Sequence, residues 1–247
     1  HPPENFLPMP FELDRELIER LEHAIYNLDS SFVASTFEGL HPEDVATILY
    51  EFDAPEARYI LDCLDRDRAA VALTFLDTDT RKRFVKTFRP KELAVYIPHM
   101  HSDDAADVLN EQPLAFKEKV LTHITPEETR QAIQELIQYP SDAAGGLMEK
   151  ELIKARMSWT LGQTVEEIRR QAKQVEKIMA IYVVDQKETL KGFVTLKHVI
   201  LADPQLQIKD IYNPDVIYVD TSETADNVAD IMQRYDIEAL PVVNAKG

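Results

Sequence analysis

The chain has 247 residues, of which 45% are hydrophobic and 29% are charged, a composition typical of a globular protein with room for two domains. Its 44 acidic and 27 basic residues give a formal net charge of −17, which argues against nucleic acid or an anionic membrane as the main partner and favours cations. A single cysteine excludes a disulfide framework within one chain. The apolar runs, such as residues 178–184, are far shorter than the roughly 20 residues of a membrane span.

Residues 1–10 include four prolines, and we predict that they form an extended arm. Residues 11–138 then show helical spacing of apolar residues, and the starts of the predicted helices resemble one another. His41-Pro42, His101-Ser102 and Thr125-Pro126 each precede acidic residues that suit the positive end of a helix dipole. The sequence therefore predicts a repetitive stack of short helices, right- or left-handed, with a core between neighbouring helices.

The pattern changes at residues 139–148, which read YPSDAAGGLM and contain two of the six glycines. Beyond them strands and helices alternate. We predict helices over 164–173, 197–202 and 225–235, and strands over 178–184, 190–196, 216–219 and 239–243. The predicted fold class is thus an all-helical part followed by an α/β part.

The YPSDAAGGLM sequence resembles the junction at which the helical N-terminal domain of the MgtE family of magnesium channels and transporters meets a pair of CBS modules. The sequences IYVVD at 181–185 and LPVVN at 240–244 resemble strands of the first and second module. The resemblance implies an N-domain over 11–138, a first CBS module over 139–204 and a second, incomplete module over 205–247. It also implies a homodimer formed through the CBS modules, and a transmembrane pore elsewhere in the full-length protein.

Asp103 and Asp107 are four residues apart, so on a helix their carboxylates share one face and repel each other unless a cation neutralises them. From the residues alone, a solvated acidic helix start is the alternative interpretation. The resemblance favours metal binding, because these aspartates match the acidic helix start that shares Mg²⁺ ions with the CBS pair in the family.

Asp236 follows a predicted helix, where its carboxylate would lie close to the exposed terminal carbonyl groups. The alternative interpretation is a surface turn. By resemblance, Asp236 lies in the CBS region that binds interfacial Mg²⁺, and Gly146 matches a position whose backbone can approach such an ion. The predicted metal ligands are therefore Asp103, Asp107, Asp236 and Gly146.

CBS pairs often hold the ribose of an adenine nucleotide with the aspartate of a Ser/Thr-x-x-Asp sequence. Here the corresponding residues are Thr195 and His198. Histidine lacks the carboxylate that accepts the ribose hydroxyls, so we expect weak or no nucleotide binding through the first module. The sequence contains no phosphate-binding glycine loop, nucleophile elbow or His-Glu-x-x-His motif, and we predict that the protein is not an enzyme.

Together with the resemblance, these observations predict a cytosolic, Mg²⁺-sensing region of a membrane magnesium channel or transporter, located at the cytoplasmic face of the cell membrane. The resemblance implies that Mg²⁺ joins the acidic N-domain to the CBS pair and favours the closed pore. The alternative is a stand-alone CBS adaptor that senses adenine nucleotides or docks a protein partner on its helical stack.

Overall fold

The computed structural model describes residues 13–172, 175 and 177–247. The predicted extended arm at residues 1–10 lies outside them. The chain divides into two compact units, one containing the residues up to Met100 together with Val108–Arg130, the other containing His101–Asp107 and Gln131–Gly247. Among the described residues, no helix combines the length and the apolar character that crossing a membrane requires.

The first part of the chain is entirely helical, as predicted. Its helices are α1 (Arg15–Tyr26), α2 (Ser30–Phe37), α3 (Pro42–Leu49), α4 (Ala54–Cys63), α5 (Arg66–Thr74), α6 (Thr78–Val85), α7 (Pro90–Leu93), α8 (Ser102–Asn110), α9 (Leu114–Leu121) and α10 (Glu127–Leu136). A single 3₁₀ turn at Ile97–His99 precedes α8.

Aspartate begins many of these helices. A side-chain oxygen of the aspartate accepts a backbone N–H of the first turn at the starts of α1, α2, α4, α5 and α6, where the capping residues are Asp14, Asp29, Asp53, Asp65 and Asp77. Part of the large acidic excess is therefore structural, and an acidic helix start alone does not indicate a metal site.

Helices of the first unit pack mainly on the next helix but one: α2 contacts α4, α3 contacts α5, α4 contacts α6, and α7 contacts α9. The interfaces are apolar and fully buried, with core residues that include Leu21, Phe37, Ile48, Leu49, Ile60, Leu61, Leu73 and Phe84. The predicted stack of short helices is confirmed.

The second part of the chain contains α11 (Ala144–Leu147), β1 (Lys154–Arg156), α12 (Leu161–Gln171), β2 (Ile181–Val184), β3 (Leu190–Val194), α13 (Leu196–Leu201), β4 (Val219–Asp220), α14 (Ala225–Tyr235) and β5 (Val242–Val243). This alternation confirms the predicted change from a helical to an α/β sequence.

The strands form two small sheets. In the first, β2 lies between β1, which is parallel to it, and β3, which is antiparallel. In the second, β4 and β5 are parallel. The first sheet packs its apolar residues against α12 and α13, in a core formed by Ile153, Ala155, Leu161, Ile181, Val183, Val194, Val199 and Ile208.

Both edges of the three-stranded sheet have additional partners. At β1, the exposed side chains of Lys154 and Arg156 form ion pairs with Glu188, each with an N–O distance of 2.9 Å. At β3, Phe193 exchanges two backbone hydrogen bonds with Asn213, at 2.9 and 2.8 Å.

The predicted start of α12 was wrong. The helix begins at Leu161, three residues before the predicted start at residue 164, because Thr160 and Gln163 form a capping box at its first turn. Thr164 and Glu167, which have the same spacing, lie inside the helix. Strand β1 was not predicted, and β2 to β5 are shorter than expected.

Candidate metal centre

Asp103 lies in the first turn of α8, one residue after the buried Ser102. Its side chain is partly buried, and Oδ1 is shielded from solvent without a hydrogen-bond partner among the described residues. A carboxylate oxygen in that position lacks the donor that water would supply. Asp103 therefore differs from the capping aspartates of the other helices, whose oxygens accept backbone N–H groups.

Asp107 is exposed one turn further along α8, on the face that also carries Asp103. The structure confirms the helix on which this pair was predicted. Both aspartates belong to the second compact unit, which also contains Asp236 and Gly146.

Asp236 ends α14 in the left-handed conformation, with φ 51° and ψ 50°. An aspartate tolerates this conformation better than most residues other than glycine. The next residue, Ile237, donates its backbone N–H to the Met232 carbonyl at 3.1 Å, which is a common way of ending a helix. The exposed Asp236 carboxylate is thus attached to a well-defined backbone.

Gly146 is buried in α11, where the preceding turn approaches it closely. A Cβ atom at Gly146 would lie 2.2 Å from the carbonyl oxygen of Pro140, closer than any real contact. Neighbouring backbone N–H groups join α11 to the segment before α14, since Ala144 donates to Glu223 at 2.7 Å and Gly145 donates to Thr221 at 2.9 Å. Close packing therefore explains why residue 146 is a glycine. The approach of the Gly146 backbone to a metal ion stays a prediction.

The structure does not bring the predicted aspartates into one compact cluster. Among the described residues, Asp103, Asp107 and Asp236 do not belong to any group of three ligating side chains with ligand atoms within 4.8 Å of one another. Their role as metal ligands stays a prediction, and a weak site bridged by water molecules is the kind of site they could form.

One such group does occur, and the sequence did not reveal it. His101, Glu149 and Glu151 each present a ligand atom within 4.8 Å of the others. His101 and the two glutamates form no metal-ligand spacing motif in the sequence, because the glutamates are about fifty positions away. The only local signal is the Glu149-Lys150-Glu151 alternation, which in an extended segment directs both carboxylates to one side.

Ser102 fixes one of these glutamates. Its hydroxyl donates to Glu151 Oε2 at 2.8 Å and accepts the backbone N–H of Lys150 at 3.0 Å. The Lys150 ammonium group lies 2.8 Å from Glu135 Oε1 and pairs with it. These contacts tie the start of α8 to the segment that leads into β1.

A cavity of about 610 Å³ lies beside this group within the second unit. Its lining includes His101, Glu149 and Glu151 together with apolar residues of β5 and α14, such as Val242 and Met232. The cavity could hold water or a small polar ligand next to the carboxylates.

The residues that correspond to a ribose-binding sequence have a structural role. Thr195 caps α13, where its hydroxyl accepts the backbone N–H of His198 at 3.3 Å and lies 3.1 Å from the His198 Nδ1 atom. The exposed imidazole thus contacts its own helix cap.

Comparison with known proteins places this geometry in a family context. The family model described as the MgtE intracellular N domain matches residues 40–142, and the CBS domain model matches residues 144–204 and 208–247. The chain is 32% identical over 239 residues to the magnesium transporter MgtE of Thermus thermophilus, which covers 95% of this chain and 53% of the relative. It is 26% identical over 209 residues to MgtE of Bacillus subtilis, covering 85% of this chain and 46% of that relative. The chain thus spans about half the length of these two relatives.

Two solved structures are similar over nearly the whole fold. The crystal structure of the cytosolic domain of the Mg²⁺ channel MgtE in complex with ATP has a TM-score of 0.84 and 32% identity, covering 93% of this chain and 94% of that one. The crystal structure of the soluble part of a magnesium transporter has a TM-score of 0.79 and 26% identity, covering 93% and 90%. These matches confirm the predicted fold class of a helical domain followed by CBS modules.

Proposed function

The chain belongs to the MgtE family of magnesium transporters, and on that premise we propose that it is the Mg²⁺-sensing region that gates a membrane magnesium channel or transporter. In this role the acidic start of α8 and the CBS pair are held together through Mg²⁺, and the closed pore is favoured. The pore is a further part of the full-length protein, and two chains pair through their CBS modules at the cytoplasmic face of the membrane. The role is regulatory and not enzymatic.

The observation that carries this proposal is the Asp103 Oδ1 atom, which is buried and has no hydrogen-bond donor among the described residues. Leaving a buried acceptor unsatisfied costs about 1–3 kcal/mol, and more for a charged group. A bound cation offsets that penalty. Mg²⁺ prefers carboxylate and carbonyl oxygens and keeps several of its own waters, so one buried oxygen flanked by exposed carboxylates fits it.

Charge provides the conformational switch. Asp103 and Asp107 share one face of α8, Asp236 lies at the end of α14, and the chain as a whole carries −17. In the absence of a divalent cation these carboxylates repel one another and favour separation. Asp236 contributes a carboxylate on a well-defined backbone, and Gly146 contributes a backbone with no side chain in the way.

The size of the response depends on how differently the ion binds the two states. An ion shifts a two-state equilibrium only by its difference in affinity for them, and a change from 1:99 to 99:1 needs about a 10⁴-fold difference. Carboxylates that bind through retained waters discriminate modestly. We therefore expect a graded compaction over the millimolar range instead of an abrupt one.

Calorimetric Mg²⁺ titration and small-angle scattering test the proposal. At about 10 mM Mg²⁺, a level suited to a hydrated carboxylate site, the radius of gyration should be smaller than in either of two control buffers. One contains an uncharged osmolyte, and the other contains a monovalent salt at the ionic strength of the Mg²⁺ buffer. Asp103→Asn keeps the side-chain size but removes the charge, so it should weaken both signals.

Asp79→Asn is the matched control, because Asp79 also lies in the first turn of its helix, α6, but is exposed. It should leave the titration unchanged. Asp236→Asn should weaken the response as Asp103→Asn does. Identical scattering with and without Mg²⁺, or equal titrations for the two first-turn variants, would contradict the proposal.

The second candidate function is a CBS adaptor that senses adenine nucleotides or docks a protein partner. The observation in its favour is that a similar cytosolic domain was solved in complex with ATP. In that case ATP, and not Mg²⁺ alone, would change the scattering profile.

A further inference from the structure

We propose that His101, Glu149 and Glu151 form a binding site for a divalent transition-metal ion, best matched by Zn²⁺. The three residues belong to one compact unit, and their ligand atoms lie within 4.8 Å of one another. The site shares no ligand with the proposed magnesium site, so it does not depend on the proposed function.

The ligand types select the class of metal. Zn²⁺ binds both imidazole nitrogen and carboxylate oxygen atoms, whereas Mg²⁺ takes oxygen ligands, so the imidazole in this group favours Zn²⁺. The two carboxylates balance the charge of a divalent ion. Such a site takes Zn²⁺ in the presence of a large excess of Mg²⁺.

The carboxylate of Glu151 is the second observation that points to a cation. Its Oε2 atom receives all the hydrogen bonds that the described residues supply to this side chain, from the hydroxyl and N–H of Ser102 and the N–H of Lys150. Within the described part of the chain, no lysine or arginine forms an ion pair with Glu151, although the residue is partly buried. Oε1 therefore remains available as a ligand on a side chain whose orientation is already fixed, as in established metal sites.

The distances allow the site to close. Zn²⁺ binds nitrogen and oxygen at about 2.0–2.2 Å, which in tetrahedral geometry places the ligand atoms about 3.4 Å apart. The His101 Nδ1 atom is now 4.0 Å from Glu149 Oε2. The Glu149 side chain is 55% exposed, and a shift of this side chain of less than about 1 Å would close the gap. The adjacent cavity of about 610 Å³ leaves room for a water molecule as the fourth ligand.

Zn²⁺ titration by calorimetry, with about 10 mM Mg²⁺ present throughout to fill hydrated carboxylate sites, tests the proposal. We expect one Zn²⁺ per chain. Because even partners of metal ligands change affinity by about 10–100-fold, His101→Ala should weaken binding by at least about 100-fold and Ser102→Ala by about 10-fold. His99→Ala is the matched control, since His99 lies two residues away and its ring contacts the Asp67 carboxylate at 2.5 Å. It should bind Zn²⁺ as the unmodified protein does.

A measurement on the unmodified protein avoids any effect of the variants on folding. The imidazole ¹⁵N resonances of His101 should shift on addition of one equivalent of Zn²⁺, while those of His198 should not. The absence of Zn²⁺ binding at equimolar concentrations, a response of other histidines without His101, or loss of binding on addition of Mg²⁺ would each overturn the proposal.

Discussion

Arg81 and Glu111 form a bidentate ion pair inside the first unit. Arg81 Nε donates to Glu111 Oε2 at 3.0 Å, Nη2 donates to Oε1, and the two side chains are only 12% and 11% exposed. Arg81 also donates to the carbonyl oxygens of Thr74 and Leu76, each at 3.0 Å. One guanidinium group thus joins α6, the end of α5 and the residue after α8.

We expect Glu111→Gln and Arg81→Met each to destabilise the protein by about 3 kcal/mol, because removing one partner leaves the other charge buried without compensation. Arg81→Lys should also destabilise it, since an ammonium group cannot reproduce the planar fork. Urea unfolding followed by circular dichroism measures the effect.

The control is the exposed pair of Arg15 and Glu19, whose side chains are 92% and 62% exposed. Glu19→Gln should change stability by less than about 0.5 kcal/mol. Equal effects of Glu19→Gln and Glu111→Gln would show that burial does not strengthen the inner pair.

Gly146→Ala should destabilise the second unit by about 2 kcal/mol or more, because the new Cβ would lie 2.2 Å from the Pro140 carbonyl oxygen and the backbone must move. Gly162→Ala is the matched control in α12. Its Cβ would meet Pro204 O at an ordinary 3.5 Å, so the higher helix propensity of alanine should stabilise the protein slightly. Thermal unfolding of the two variants should therefore move in opposite directions, and similar melting temperatures would contradict the packing argument.

Asp77 makes the first unit sensitive to acid. Its Oδ1 accepts the backbone N–H groups of Thr80 and Asp79, and these hydrogen bonds lower the pKa of the carboxyl group from 3.8 to about 2. Because the folded pKa is below the unfolded one, the stabilisation is complete above pH 3.8 and is lost as the pH falls through about 2.

Asp77→Asn keeps a capping oxygen but cannot titrate. We expect its melting temperature to lie below that of the unmodified protein at neutral pH, where the ionised carboxylate stabilises the helix start, and to fall less between pH 3.8 and 2. Asp77→Ala should be less stable still at neutral pH, because it also removes the capping oxygen. If the melting temperatures of Asp77→Asn and of the unmodified protein fell in parallel with decreasing pH, Asp77 would not be the source of the acid sensitivity.

Nucleotide binding through the first module should be weak, because His198 lies where the ribose-binding aspartate would be expected and contacts its own cap at Thr195. We expect His198→Asp to raise the affinity for ATP by about 10-fold, since a hydrogen bond to a charged group contributes about 1.5–3 kcal/mol. Calorimetry in the presence of Mg²⁺ measures the affinity for ATP, and His198→Asn is the uncharged control. Tight binding of ATP to the unmodified chain that is lost in His198→Ala would support the adaptor function instead.

Local signals in the sequence predicted several elements well. Helix α14 was predicted at residues 225–235 and is observed there, because Thr224 caps its start and the left-handed Asp236 ends it. For α12, two consecutive sequences, residues 160–163 and 164–167, satisfied the same capping rule. The earlier one is used, which buries Leu161 completely and leaves the buried Thr164 donating its hydroxyl to the Thr160 carbonyl at 3.1 Å. Local helix-capping preference alone could not select the start of α12, because the choice depends on which residues the tertiary structure buries.

Long-range features could not be predicted in this way. Strand β1 has only three residues, Lys154–Arg156, without a β-branched side chain, and it is a strand because β2 pairs with it. The grouping of His101 with Glu149 and Glu151 likewise depends on how the chain folds back on itself. By contrast, the position of Asp103 on an acidic helix start was evident from the sequence, whereas the burial of its Oδ1 atom was not.

The partners at the two edges of the three-stranded sheet lower the tendency of the protein to aggregate. An open strand edge invites pairing with another molecule, which is a route to aggregation. Here charged residues alternate with the buried Ala155 along β1, and Asn213 occupies both backbone groups of Phe193 on β3. The sheet can therefore remain small without recruiting strands from neighbouring molecules at high protein concentration.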